Sequence, residues 1–265
     1  MMRKTFIALL LFVSGSLFIV SCTQPVKQKT IDKILKEKII IVGTTGEQFP
    51  FSFKEDNGEL KGIDINIAKL LAKELGVDVK FEILPFDKLI PAVSNGKVDI
   101  VFSGVTITTK GNTEVAFPGV YFKSGKSIIT KNKQLYKGAA EYVNTENITL
   151  AVTKATTSED FVKDKYPKTK LILVKNITEA VKLLSEDKID GIVADFETCE
   201  LIAFSYKESY LYFKNLSIPT EKEFISPVVA SDDYLFINLI SNFIERINAN
   251  DEYEAVDMIW YEFLN

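Results

Sequence analysis

The strongest constraint on the fold is an alternation of short apolar runs with segments of helical periodicity. Lys38–Val42 and Val98–Phe102 are continuous apolar runs, which are typical of strands buried in a parallel sheet. Between them a helical pattern begins at Asp64, which we expect to be the N-cap, and ends at Gly76. The same alternation returns in the second half of the chain. It predicts an α/β fold with two βαβ sheets, each covered by helices on both faces.

Polar residues follow the predicted strands at places where a ligand could bind. In open α/β sheets, ligands lie beyond the carboxyl ends of the strands, near free N–H groups and helix N-termini. Ser103–Thr109 follows the run Val98–Phe102, and Ala155–Ser158 opens a predicted helix. Asp195 ends a third strand, where its carboxylate could hold a ligand ammonium. The same side chains are also common helix caps, so both interpretations stay open.

The N-terminus has the pattern of an export signal. A basic start, Met1–Lys4, precedes an apolar run from Thr5 to Val20. This run is shorter than the roughly 20 residues of a membrane-spanning helix and fits the core of a signal peptide. It leads into Ser21 and Cys22, which resemble the end of a bacterial lipobox, and the resemblance implies a lipid anchor on Cys22. The alternatives are an ordinary signal peptide and an N-terminal anchor helix.

The chain contains no histidine and two cysteines, and this composition excludes several kinds of site. No Ser-His-Asp or Cys-His catalytic system and no His-ligated zinc can form, and we expect neither a metal nor another cofactor. If Cys22 is acylated, Cys199 has no partner for an internal disulfide, and we expect it to be a small core residue. Loss of the leader, with Arg3 and Lys4, changes the formal charge from −4 to −6, which argues against nucleic-acid binding.

Motifs in both halves of the chain resemble those of one protein family. These motifs are Gly43–Gly46, Gly62–Ala68, Phe86–Ala92, Gly96–Ile100, Ser103–Thr108, Ala155–Thr157 and Asp190–Asp195. Their residues, order and spacing are similar to those of the polar-amino-acid-binding solute-binding proteins of ABC transporters. The resemblance implies a periplasmic-binding-protein-like fold of type II. In this fold two lobes, each with a mostly parallel sheet flanked by helices, are joined by a two-strand hinge.

The resemblance also implies how the chain is divided. The expected parts are a signal peptide (1–21), a tether (22–37), lobe 1 (38–129), lobe 2 (130–225) and a return to lobe 1 (226–265). The two hinge crossings are expected near Ser127–Lys131 and Lys222–Ser226. A small polar solute bound between the lobes would stabilise a closed state that the ABC permease recognises at the membrane. We expect the protein to be a monomer.

The ligand contacts of the family can be carried over onto this sequence. The candidate ligand-binding residues are Gln48, Phe86, Ser103, Gly104, Thr106, Lys110, Gly111, Thr156, Thr157 and Asp195. The resemblance implies that carbonyl groups near Ser103 and Gly104, together with Asp195, hold an α-ammonium. It also implies that Thr106 and a backbone amide near Thr157 help to hold an α-carboxylate.

Two positions depart from the family pattern. Gln48 stands where the family usually has an aromatic residue. Gly111 stands where the family has the arginine that binds the carboxylate, and the only arginines of this chain are Arg3 and Arg246. Two interpretations follow: Lys110 or another lysine supplies the cation, or the ligand lacks an α-carboxylate.

Two other functions remain as alternatives. Gly43–Glu47 followed by Pro50–Ser52 also resembles the start of periplasmic cyclohexadienyl (arogenate) dehydratases, which share this fold and need a general acid. Thr198 stands at the place of that acid, although Glu197 and Glu200 lie nearby, and we expect no enzymatic activity. The other alternative is a subunit that senses a ligand for a membrane receptor.

Overall fold

The computed structural model describes residues 30–55, 57–133, 135, 140–205, 212–215 and 222–249. The expected signal peptide, the expected acylation site Cys22 and residues 22–29 of the expected tether lie outside these residues, as does the chain after Ala249. Among the helices of the described part, none is long and apolar enough to cross a membrane.

Lobe 1 contains the helices and strands that precede the crossing to lobe 2, together with the end of the described chain. Its elements are α1 (Thr30–Glu37), β1 (Ile39–Thr44), β2 (Glu47–Gln48), β3 (Ser52–Lys54), β4 (Leu60–Lys61), α2 (Ile63–Leu75), β5 (Asp78–Ile83), α3 (Phe86–Ser94), β6 (Ile100–Val101), a 3-10 turn (Gly111–Thr113), β7 (Val115–Ala116) and β8 (Phe122–Ser124). Strands β5, β1 and β6 form a parallel sheet in that order. Strands β2, β3 and β4 form an antiparallel hairpin sheet beside it.

Helix α1 occupies the last part of the expected tether, so this expectation was wrong for residues 30–37. Ile31 and Ile34 are buried in the core of lobe 1. Residues three apart lie on the same face of a helix, so these two isoleucines give α1 an apolar side that packs on the lobe. The lysine-rich composition of the segment describes only its solvent-facing side.

Helix α2 begins two residues earlier than expected, because its N-cap is not Asp64. The cap is Gly62, whose φ of +123° suits glycine, and a Cβ there would lie 2.3 Å from the carbonyl oxygen of Phe51. Asp64 is completely buried in the first turn of the helix. Gly76 ends the helix in the left-handed conformation, as the sequence predicted.

Lobe 2 is built on a five-stranded mixed sheet. Its elements are β9 (Lys126–Thr130), α4 (Ala140–Val143), β10 (Thr149–Thr153), α5 (Thr157–Lys165), β11 (Lys170–Val174), α6 (Ile177–Ser185), β12 (Gly191–Asp195), α7 (Phe196–Ser205) and β13 (Tyr212–Asn215). The strand order is β11-β10-β12-β9-β13. Strand β10 is parallel to both neighbours, whereas β9 is antiparallel to β12 and β13. Cys199, on α7, is fully buried in the core of this lobe, as expected.

Two antiparallel strands connect the lobes: β8, and β14 (Glu223–Ile225) on the return. The second crossing lies in the expected segment, Lys222–Ser226. The first lies earlier than expected, because most of Ser127–Lys131 belongs to the buried strand β9 of lobe 2, and the expected boundary at residue 129 falls inside that strand. The chain then forms β15 (Val229–Ala230), which pairs with β7, and α8 (Tyr234–Ala249), which packs on lobe 1. The predicted fold class, α/β with two lobes of the periplasmic-binding-protein type, is confirmed.

Candidate functional site

A buried lysine lies beside Asp195, at the end of a strand in lobe 2. The antiparallel register of β12 and β9 places Asp195 opposite Lys126. Lys126 Nζ is 2.6 Å from Asp195 Oδ1 and 2.6 Å from Glu223 Oε2, and 5% of the lysine side chain is exposed. Because Glu223 lies on the crossing strand β14, the lysine joins lobe 2 to the interlobe connection. We call Lys126, Asp195 and Glu223 the Lys126 cluster.

The carboxylates of the cluster keep its lysine charged. Burial alone would lower the pKa of Lys126, but the nearby negative charges of Asp195 and Glu223 oppose it, and the pKa is raised above its usual value. Burial raises the pKa of Glu223, while the charge of Lys126 acts in the opposite direction. The cluster therefore contains one permanent positive charge between two carboxyl groups.

Gln48 reaches the cluster from lobe 1. Its Nε2 is 3.4 Å from Asp195 Oδ2. A Cβ built on Gly104 would lie 2.6 Å from the same nitrogen, so the Gln48 amide lies directly against the backbone of Gly104. Gly104 has a φ of +55°, which glycine adopts at low cost. The structure thus brings three predicted ligand-binding residues, Gln48, Gly104 and Asp195, to one place between the lobes.

The loop that contains Ser103 and Gly104 is held by a buried carboxyl group. Asp64 Oδ2 accepts a hydrogen bond from the Gly104 amide at 2.8 Å, and Asp64 Oδ1 accepts one from the Tyr121 hydroxyl at 2.5 Å. Burial raises the pKa of Asp64 from 3.8 to about 7. Beside it, Ser103 Oγ accepts a hydrogen bond from the Thr45 amide at 3.1 Å. Asp64 is therefore a support for the loop.

Of the other predicted ligand-binding residues, some lie near the Lys126 cluster and others make contacts elsewhere. Thr157, at the start of α5, lies near Glu223 of the Lys126 cluster, where it opposes the rise in pKa that burial causes. The hydroxyl of Thr156 instead donates to the Thr153 carbonyl at 2.7 Å, within its own turn. Thr106 is half-buried and bridges to Ile225 of β14. Phe86, the first residue of α3, packs on an apolar cluster of lobe 1.

The position of the family arginine is filled by other side chains. Gly111 is buried, and a Cβ built on it would lie 2.9 Å from both Phe117 Cζ and Thr108 Oγ1. Lys110, the nearest lysine in the sequence, is exposed. The lysine that lies buried beside Asp195 is Lys126. The expectation that Lys110 would serve as the cation has no support in this geometry. Lys126 is another lysine, but its ammonium is paired with two carboxyl groups of the protein itself.

Two further contacts join lobe 2 to its surroundings through α7. Ser124, on β8, donates a hydrogen bond to Glu197 Oε2 at 2.5 Å, and burial raises the pKa of Glu197 to about 7. Thr198 Oγ1 donates to the Phe49 carbonyl of lobe 1 at 2.9 Å, in a buried contact. At the edge, Asn176 Nδ2 donates to Glu47 Oε2 at 2.8 Å. The contacts of Thr198 and Asn176 are direct hydrogen bonds between the two lobes.

Sequence reasoning missed Lys126, Glu223 and Asp64. Lys126 precedes the apolar residues of β9, and a lysine at that position of a buried strand was a signal for a charged partner. Its partners depend on strand register and on the return crossing, which a single sequence does not reveal. In the part of the chain that the structure describes, no group of three or more His, Cys, Asp or Glu side chains could hold a metal ion.

Comparisons with known proteins find relatives that span most of this chain. The ABC transporter arginine-binding protein 1 of Escherichia coli (strain K12) is 25% identical over 227 residues, which cover 83% of this chain and 89% of that protein. The cyclohexadienyl dehydratase of Pseudomonas aeruginosa is 23% identical over 195 residues, 73% of each chain. The crystal structure of an ancestral amino acid-binding protein, a precursor of cyclohexadienyl dehydratase, has a TM-score of 0.78 and 30% identity, and covers 89% of this chain and 100% of that chain.

A family model covers almost all of the part that follows α1. The model of the bacterial extracellular solute-binding proteins, family 3, matches residues 40–263, which include both lobes and both crossing strands. This match, together with the two-lobed fold, shows that the chain belongs to family 3 of the bacterial extracellular solute-binding proteins.

Proposed function

We propose that this chain captures one small polar solute, an amino-acid-like compound or an amine, at the Lys126 cluster and presents it to an ABC permease. The observation that carries the proposal is the meeting of Asp195 of lobe 2 with Gln48 and Gly104 of lobe 1. A solute ammonium placed there would reach Asp195 Oδ2 from one lobe and the Gly104 loop from the other. Binding would therefore stabilise the closed arrangement of the lobes.

The charges around this place favour a solute that is held by its positive end. The family arginine is absent, and Phe117 and Thr108 fill the space next to Gly111. A carboxylate bound there would be buried without a strong cationic partner, which is costly. The relatives include proteins named for arginine binding, but an α-carboxylate of this chain's solute would need a different contact. We therefore propose that standard amino acids bind weakly and that amines bind better.

The binding experiment is a thermal-shift screen of the mature chain against amino acids, amines and small neutral polar compounds, followed by calorimetric titration. A solute at 100 times its Kd stabilises the folded state by about 2.7 kcal/mol, which gives a clear shift in Tm. Micromolar binding of a standard amino acid that is lost when its carboxylate is removed would contradict the preference for amines.

We also propose that the chain is exported and anchored by a lipid on Cys22. The support is the basic start, the apolar run and the cysteine at its end, in a family whose members act outside the cytoplasm. Cys22→Ser should leave the chain unanchored or incompletely processed. Labelling with a fatty-acid analogue tests this proposal, and equal labelling of the variant and the unmodified chain would refute it.

A dehydratase is the second candidate, because one acid of suitable pKa lies near the site. Glu197, with a pKa of about 7, is close enough to Asp195 for the charge of Asp195 to raise that pKa further. The carboxyl group of Glu197, however, accepts a hydrogen bond from Ser124. Thr198, which stands at the place of the acid in the dehydratases, donates a hydrogen bond to the Phe49 carbonyl. We expect no phenylalanine to form from arogenate. Turnover that is lost in Glu197→Gln would establish the enzyme.

A further inference from the structure

The Lys126 cluster contains two acidic groups and one basic group. Asp195 and Glu223 each offer a carboxyl group, and Lys126 supplies one ammonium that is 2.6 Å from both. When both carboxyl groups are ionised, they exceed the single positive charge of Lys126 by one negative charge. All three side chains are largely shielded from solvent, with exposed fractions of 13%, 11% and 5% for Asp195, Glu223 and Lys126. An uncompensated charge in such a place is strongly attractive to a cation.

The remaining negative charge faces the space between the lobes. Asp195 Oδ1 is engaged by Lys126, whereas Asp195 Oδ2 has the Gln48 amide at 3.4 Å. This distance is long for an N–H···O hydrogen bond, which is usually 2.7–3.2 Å. A solute ammonium would form a shorter, charge-assisted bond to the same oxygen and would displace a weak neutral contact. One oxygen of Asp195 is therefore within reach of one cation.

We propose that Lys126 determines how many positive charges the bound solute carries. By cancelling one of the two facing carboxylates, it restricts the site to an organic monocation. A second ammonium would have to be buried at the cluster without a carboxylate to receive it, which disfavours a dication. The inference rests on the proposed function, since it assumes that the solute lies against Asp195.

The other charged groups near the cluster do not change this comparison. Glu197 and Glu200, on α7, are the further carboxyl groups of this region. Glu197 titrates near neutral pH and adds part of a negative charge. Replacing Lys126 also removes the charge that opposes the rise of the Glu223 pKa. All variants are therefore compared at one alkaline pH, at which the carboxyl groups of the cluster are ionised.

The experiment compares butylamine, which has one ammonium, with 1,4-diaminobutane, which has two. Both are titrated calorimetrically into the purified chain and into Lys126→Met, Glu223→Gln and the double variant Lys126→Met/Glu223→Gln. Methionine keeps the length of the lysine side chain without its charge. The double variant has the same net charge at the cluster as the unmodified protein and is the matched control.

The unmodified chain should prefer butylamine. Lys126→Met should shift the affinity ratio toward the diamine by about tenfold or more, as expected for one additional charge-assisted hydrogen bond. The double variant should return the ratio close to that of the unmodified chain. The inference would be overturned if the affinity ratio of Lys126→Met equalled that of the unmodified chain. It would also be overturned if the double variant had the same ratio as Lys126→Met. Absence of amine binding in every variant would overturn it as well.

The loss of a buried lysine could prevent Lys126→Met from folding, because two carboxylates would face each other. Glu223→Gln then provides the test, since it removes one negative charge and leaves Lys126 paired with Asp195. It should weaken butylamine binding by about tenfold and leave binding of the neutral butyramide unchanged. Equal effects on both compounds would overturn the inference. The proposed function fails separately, if no small solute shifts the Tm of the unmodified chain in the screen.

Discussion

Asp64→Asn tests how Asp64 supports the loop that contains Ser103 and Gly104. The carboxyl group is completely buried and accepts hydrogen bonds from the Gly104 amide and the Tyr121 hydroxyl, with no lysine or arginine among these partners. Asparagine has nearly the same shape. Its oxygen can accept from Gly104, and its NH2 group can donate to the Tyr121 oxygen, because a hydroxyl can act as donor or acceptor. The variant therefore removes the ionisable group and keeps both contacts.

The pKa of Asp64 makes the free energy of unfolding depend on pH. Burial raises this pKa from 3.8 to about 7 in the folded chain. Between these two pKa values the folded chain holds a proton on Asp64 that the unfolded chain releases. The stabilisation from this proton is fully present below the lower pKa. It is lost as the pH rises through about 7. The linkage relation gives a loss of about 2.5 kcal/mol between pH 5 and pH 8.

Urea unfolding at pH 5 and pH 8 measures this contribution. Asp64→Asn should lose less stability between the two pH values than the unmodified chain, by about 2.5 kcal/mol. Glu197, whose pKa is also raised to about 7, contributes in the same direction and leaves part of the slope in place. Asp64→Ala is the control, because it leaves two buried donors unsatisfied and should be less stable at both pH values. An Asp64→Asn variant with the pH dependence of the unmodified chain would refute the reasoning.

Three further changes test the site. Asp195→Asn should weaken amine binding about tenfold to a hundredfold in calorimetric titration, because a charge-assisted hydrogen bond is lost; unchanged affinity would remove Asp195 from the site. Gly111→Arg should destabilise the chain by about 1–3 kcal/mol in urea unfolding, because its Cβ would meet Phe117 at 2.9 Å. It should add no amino-acid binding unless Phe117→Ala is combined with it, and a gain in the single variant would contradict the packing argument. Thr198→Val removes the hydrogen bond to the Phe49 carbonyl and should weaken solute binding about fivefold, because this bond joins the two lobes. An unchanged Kd would exclude a role of Thr198 in closure.

The fold could be predicted from the sequence because its signals are local. The apolar runs and the glycine that ends α2 indicate the conformation of their own segments, and α5 begins within the predicted segment Ala155–Ser158. The end of β12 likewise places Asp195 at a strand terminus, where ligands bind in such folds. These inferences need no knowledge of which strand lies next to which.

The parts of the site that were missed depend on distant neighbours. Asp64 resembles a helix cap in the sequence, and only the packing of the Gly104 loop against α2 turns it into a buried support. Lys126 meets Asp195 because β9 runs antiparallel to β12, and it meets Glu223 because the chain returns through β14. Gly111 marked a missing arginine, but the sequence did not show that Phe117 takes the space. Register and side-chain packing between remote segments are not encoded in any one stretch of residues.

The contacts between the lobes have a consequence for the energy use of the importer. Thr198 with Phe49, and Asn176 with Glu47, are made by the chain itself, and each such hydrogen bond contributes about 0.5–1.5 kcal/mol. They raise the fraction of molecules that close before any solute arrives, which tightens the apparent affinity for the solute. The same closed molecules resemble the loaded ones at the membrane. A transporter that responds to closure would then hydrolyse ATP when it meets the solute-free protein. Tight binding at low solute concentration is therefore accompanied by more ATP hydrolysis without transport.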